Sequence, residues 1–251
     1  MNITLKAIDF KYPTKEEKVE ACKNYPEIKR FGFPEVNAFA SLNDIIDSDA
    51  IGFDDKVRRN NLHYWDVCIE NKLFNLFNAY INSVTHYNRG IPNKLENLEA
   101  NQPINYVLFN FYLESFYSLF FSVGDVVAQL INVYYSLGFK ERSLKRGDNA
   151  VSFHKVKTNM VHLNQNLYKI LDDFGVATRK ASNFRHNLTH AFPNNQSNHL
   201  ISTTVNTNDG KIYGFHGGVA TAPSEFMDNI NESLEQLSVL MKDLRKEFNL
   251  D

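Results

Sequence analysis

The densest run of residues able to do acid–base and phosphate chemistry is Asn183-Phe184-Arg185-His186-Asn187-Leu188-Thr189-His190. It crowds one arginine, two histidines and two asparagines together, a composition that a buried core does not favour. Histidine titrates near neutrality and serves as either acid or base. Arginine stays charged and grips phosphate oxygens with two parallel hydrogen bonds. Together these groups suit metal-free cleavage of RNA. One group takes the proton from a ribose 2′-hydroxyl, another protonates the departing 5′-oxygen, and a fixed positive charge stabilises the phosphorane between them. In that chemistry His190 is the general acid or base and Arg185 binds the scissile phosphate. His186 and Asn187 orient phosphate or ribose. The 2′-hydroxyl is the nucleophile, so the product carries a 2′,3′-cyclic phosphate.

A second Arg-x4-His spacing occurs at Arg58 and His63. Residues five apart differ by about 140° around a regular helix. Arg185 and His190 therefore converge only if the helix unwinds near Thr189, which Pro193 favours, or if a second copy of the chain completes the site.

Other chemistries are missing their signatures. The chain has no GxxxxGK[ST] loop, no GxGxxG after a strand, no HExxH and no GxSxG. Gly214-Phe215-His216-Gly217-Gly218 reads as a turn, not a phosphate cradle. Cys22 and Cys68 lie in no CxxC or CxxH pattern, which argues against a zinc site and reads as two buried or half-buried thiols in a reducing cytosol. The remaining histidines show no metal-ligand spacing, so no metal and no cofactor is expected. A net charge of −2 excludes a bulk-basic nucleic-acid binder. Any RNA contact must come from a local patch such as Lys140, Arg142, Lys145 and Arg146.

The elements that position these residues are helices. Gly (11) and Pro (7) are scarce beside Phe (20) and Tyr (12), which fits long uninterrupted helices. Thr14 with Glu17 marks an N-cap and capping box for a short helix over 15–23. Ser41 to Ser48 reads as another helical piece. A first long helix is expected from an N-cap at Asp54 or Asp55 to Arg89, with Leu62, Trp65, Ile69, Leu73, Leu76, Tyr80 and Val84 as its apolar stripe. A second runs over 105–137 and is apolar around most of its circumference. It reads as a buried core helix, because Glu114, Asp125 and its amides would be expensive in lipid. A third spans 152–174, with Val156, Met160, Leu163, Leu167 and Leu171 inward. A fourth spans 177–191 and carries the Arg185 segment. Residues 199–216 form a β-hairpin around Asn208-Asp209-Gly210. The last helix, 222–249, has Phe226, Ile230, Leu234, Leu237, Met241, Leu244 and Phe248 on one stripe. The reading is one mainly α domain over 1–251, an up-and-down bundle. It has an irregular cap over 1–55, a helical core over 56–192, the hairpin, and the C-terminal helix. The N-terminus lacks a basic region followed by an apolar run, so a cytoplasmic protein with no membrane contact is expected.

An Arg-His-x3-His segment late in such a bundle resembles the HEPN superfamily, whose R-x4-H motif takes Asn, Asp or His in its second position. The resemblance covers about residues 57–192. It favours Arg185 over Arg58, because Arg185 is followed by His186 and lies on the late helix. The resemblance implies a homodimer whose two motifs face one cleft, metal-independent endoribonuclease activity on RNA, and a toxin, phage-defence or RNA-processing role with an antitoxin or operon partner. It also implies an acidic brace for the motif arginine on an earlier helix, here Glu114, which shares a face with Ser118 and Asp125. The other reading is a catalytically inactive HEPN-like module that binds RNA, a nucleotide or a protein partner.

Overall fold

The computed structural model describes residues 11–36, 50–94, 97–99, 102–140, 150–190, 195, 199–207, 210–218 and 220–250. Among the described residues it has seven helices and one two-stranded antiparallel sheet. In chain order these are α1 (Lys15–Cys22), α2 (Ala50–Asn88), α3 (Pro103–Tyr134), α4 (Phe153–Leu163), α5 (Gln165–Ala177), α6 (Arg179–His190), β1 (His199–Thr207), β2 (Gly210–Gly218) and α7 (Pro223–Glu247). The mainly α class with an appended hairpin and a C-terminal helix is as the sequence predicts.

The chain forms two compact units. The first comprises residues 1–25, 78–117 and 180–232, and the second comprises 26–77, 118–179 and 233–251. The long helices α2, α3 and α7 contribute residues to both.

In the first unit, α1 starts where the sequence predicts. The Thr14 hydroxyl accepts from Glu17 N at 3.3 Å, and Thr14 N donates to the Glu17 carboxylate at 2.8 Å, a reciprocal cap. Arg89 then clamps Glu17 through Nε and Nη2, each at 2.7 Å, and donates to the carbonyls of Lys11 and Tyr12. The paired guanidinium holds the Glu17 carboxyl far down, to about 2. Phe109, Leu113, Phe116 and Tyr117 from α3 fill the core with Phe184 and Phe226. His86 is buried, stacked parallel to Tyr112 and bonded through Nδ1 to Asn105 Oδ1 at 3.2 Å. Burial lowers its pKa.

In the second unit, one buried carboxylate organises the chain. Asp66, fully buried on α2, accepts hydrogen bonds from three successive amides: Phe31 (2.8 Å), Gly32 (2.6 Å) and Phe33 (3.0 Å). Wrapping three N–H groups around one carboxylate bends the backbone through φ +82° at Gly32, a conformation glycine adopts without strain. Arg245 secures the same turn by donating to the carbonyls of Arg30 (2.8 Å) and Phe31 (2.9 Å). Phe31, Phe33, Tyr134 and Phe248 then cluster, with the last two 4.4 Å apart between ring centroids.

The apolar stripes are buried as the periodicity requires, with differences that have local causes. The expected 152–174 helix is two helices. Asn164 closes α4 and caps α5, its side chain accepting from Leu167 N at 3.0 Å. The break shifts the phase, so Leu163 is 61% exposed instead of inward. Asp54 and Asp55 do not cap α2, which is already wound at Ala50. Asp55 instead pairs with Arg58 (2.9 Å) and Arg59 (2.7 Å) one turn on. Cys22 and Cys68 are both free and exposed, not buried or half-buried as the sequence reading had them. The helix α3 is long and apolar enough to cross a membrane, but more than half of its most apolar stretch is buried within the fold. The piece expected over 41–48 lies outside the described residues.

Candidate active site

The helix α6 presents the Arg185 segment by simple phase. Ala181, Phe184 and Leu188 recur at three and four residues and are buried. Phe184 is the anchor, with its ring 6.0 Å from Tyr117 and 4.6 Å from Phe226. Lys180 lies over its face at 5.6 Å and pairs with Glu225 at 3.1 Å. With that stripe inward, Arg185, His186 and Thr189 are exposed and Asn187 is half-buried. Arg185 and His186 thus lie on the exposed side of α6.

The helix stays wound to His190. The Thr189 hydroxyl donates to the Arg185 carbonyl one turn back at 2.8 Å. The unwinding that would bring Arg185 and His190 together within one chain does not occur up to that point. They remain about 140° apart around the axis, while His186 and His190, one turn apart, share a side. The side chain of His190 lies outside the described residues, as do Pro193 and the cluster Arg142, Lys145 and Arg146. Lys140 is described and exposed.

Glu114 is exposed on α3, and its carboxylate accepts from the Asn195 side chain at 3.1 Å. Asn195 is itself only 3% exposed, and its carbonyl accepts from the Tyr106 hydroxyl. Tyr106, Asn110 and Glu114 are spaced by four along α3 and form one polar row. Burial raises the Tyr106 phenol, and a bond with Asn110 opposes that rise. Glu114 was expected to brace Arg185 directly. Its carboxylate bonds the Asn195 side chain, five residues beyond His190 in the chain. The regular spacing of Tyr106, Asn110 and Glu114 was visible in the sequence. Nothing there separated Asn195 from the neighbouring Asn194 and Asn198. Ser118 and Asp125 are exposed along the same face of α3.

The competing Arg58–His63 pair is absorbed into the fold. Arg58 bonds Asp55 and the Tyr134 carbonyl, and His63 Nδ1 lies 2.9 Å from the Phe33 carbonyl oxygen. His154 and His162 are exposed on α4. Among the described residues no group of three or more His, Cys, Asp or Glu side chains is placed to hold a metal ion.

A family model matches most of the chain. The model of the HEPN_Cthe2314-like HEPN family covers residues 65–250, which takes in α3 to α7 and most of α2. No curated protein and no solved structure matches the chain. The match spans most of the chain, α6 included: the chain belongs to the HEPN_Cthe2314-like family of the HEPN superfamily.

Proposed function

We propose that this protein is a metal-independent endoribonuclease whose site is completed by a second copy of the chain. The observation that carries the reading is the solvent-facing Arg185-His186 pair on a helix wound without interruption to His190, in a chain of HEPN descent. Because Arg185 and His190 sit on different sides of that helix, the arginine of one copy meets His190 of the other across a two-fold axis, giving two equivalent sites. At each site the His190 imidazole takes the 2′-hydroxyl proton as base, and the imidazolium so formed gives a proton to the 5′-oxygen as it leaves. Arg185 holds the phosphorane oxygens, and His186 and Asn187 orient phosphate or ribose. Glu114 acts through Asn195, holding the chain that follows His190 in place. The role in the cell is a toxin, phage-defence or RNA-processing one, with an antitoxin or operon partner.

The nucleophile supplies the test. A strand in which the nucleotide 5′ of the cut carries a 2′-deoxyribose should resist cleavage, while the all-ribose strand yields a 2′,3′-cyclic phosphate end. Cleavage of the deoxy-substituted strand at the same bond would overturn the reading.

A catalytically inactive binding module is favoured by one observation. The net charge of −2 is low for an enzyme that must capture RNA without a strong field. Such a module would bind RNA at the Arg185 face and leave it intact.

A further inference from the structure

The hairpin presents two chemically different faces. Its register is continuous, pairing Asn206 with Lys211, Thr204 with Tyr213, Ser202 with Phe215, and, on the opposite side, Val205 with Ile212 and Thr203 with Gly214. Alternation along each strand therefore puts Lys211, Tyr213 and Phe215 in one row, flanked by Asn206, Thr204 and Ser202. Val205 and Ile212 go to the other face with Thr203 and Thr207. Those two threonines tie their hydroxyls across the hairpin, to the carbonyls of Gly214 (3.3 Å) and Gly210 (3.0 Å). Tyr213 is 62% and Phe215 67% exposed. The neighbouring Ser202, Thr204, Asn206 and Lys211 are exposed as well. Two aromatic rings about two-thirds exposed on a two-stranded sheet bury little for the fold, and a lone hairpin is marginal without something against it.

The geometry points to this face as a platform for single-stranded RNA: bases stack on Tyr213 and Phe215, Ser202, Thr204 and Asn206 read or support the base edges, and Lys211 meets the phosphate backbone. Three features choose RNA over a protein surface. Residues two apart on a strand are separated by about 6.8 Å, twice the stacking distance of bases, so a base fits between the rings. The aromatics are flanked by hydroxyls and an amide, not by aliphatic side chains, which lie on the other face. The single charge in the row is positive. The inference extends the RNA reading of the Arg185 helix by saying where the strand is held, on the segment that follows α6 directly in the chain.

The test uses the full-length protein and a fluorescently labelled 2′-O-methyl oligouridine, which lacks the nucleophile and cannot be cut, in anisotropy titrations. The expected result is saturable binding. Y213A/F215A should raise Kd by roughly tenfold or more, Tyr213→Phe with Phe215→Tyr should hold it within about twofold, and V205T/I212T should leave it near wild type. Lys211→Ala should reduce the slope of log Kd against log salt by about 0.7. Far-UV circular dichroism verifies that the variants fold. The inference is overturned if the wild type does not bind, if Y213A/F215A binds equally well, or if the aliphatic-face pair costs as much. It is also overturned if Y213A/F215A changes the oligomeric state in light scattering while RNA binding stays intact, since the face would then hold protein. Cleavage of unmodified RNA is scored separately, so loss of this inference leaves the nuclease reading standing, and the reverse.

Discussion

Mixing two dead variants should restore activity if the site is shared between copies. Arg185→Ala removes the phosphate-binding charge and His190→Ala removes the acid or base, and each alone should lower the cleavage rate by about 10²–10⁴. Arg185 and His190 lie about 140° apart on a helix that stays wound through both, and the proposed shared site takes one residue from each copy. In a mixed dimer one of the two sites loses both groups and the other keeps both. Random exchange makes about half of all dimers mixed, each with one working site, so the mixture should reach about a quarter of the wild-type rate. That lies well over tenfold above either parent. The assay is single-turnover cleavage of an end-labelled RNA in EDTA, after unfolding and refolding the variants together. Two affinity tags verify that mixed dimers form. If mixed dimers are captured and the rate stays at the parental level while wild type cleaves, the shared-site geometry is wrong.

Three further outcomes are expected. Asp66→Ala removes the fully buried carboxylate that three amides of the 31–33 turn donate to and, with Gly32 and Phe33 partly open to water, should destabilise the fold by about 2–3 kcal/mol, lowering Tm by roughly 4–12 °C; a loss under about 1 kcal/mol in urea or thermal unfolding would show that the turn re-forms without it. The Glu17 carboxyl is held near 2 against an ordinary 4.5, so its pairing with Arg89 stabilises the fold fully above about pH 4.5, and that contribution fades as pH falls toward 2. Because the carboxylate is one-third exposed, the effect is discounted to about 1 kcal/mol, and urea midpoints measured from pH 5 to 3 should show it in wild type and not in Arg89→Ala. Glu114→Gln still accepts from Asn195 and should keep the cleavage rate within about twofold, whereas Glu114→Ala should lose tenfold or more; equal losses in the two would make the carboxylate charge itself catalytic.

The sequence was most legible where one periodicity dominates. The stripes of α2 and α7 are buried almost residue for residue, because three- and four-residue spacing leaves a helix one way to face its core. The capping box at Thr14 and the existence of the hairpin followed from local chemistry. What stayed hidden depends on distant partners. Asp66 is not marked out in the sequence, since nothing in its own helix announces three amides contributed from 31–33. The break at Asn164 was masked by apolar residues that continue in phase on both sides. At the site, the residue types and the exposed face of α6 were legible from Arg185, His186 and Asn187. The engagement of Glu114 by Asn195 required the fold, because the two are 81 residues apart. The asymmetry of the hairpin faces needed the register, which a shift of one residue would have inverted.

The most direct test of the central claim is RNA cleavage by the purified protein in excess EDTA, beside R185A/H190A prepared in the same way. The account predicts cleavage that persists in EDTA, leaves 2′,3′-cyclic phosphate ends and disappears in the double variant. Equal cleavage by the double variant, or none by the wild type across structured and unstructured RNAs, would contradict it.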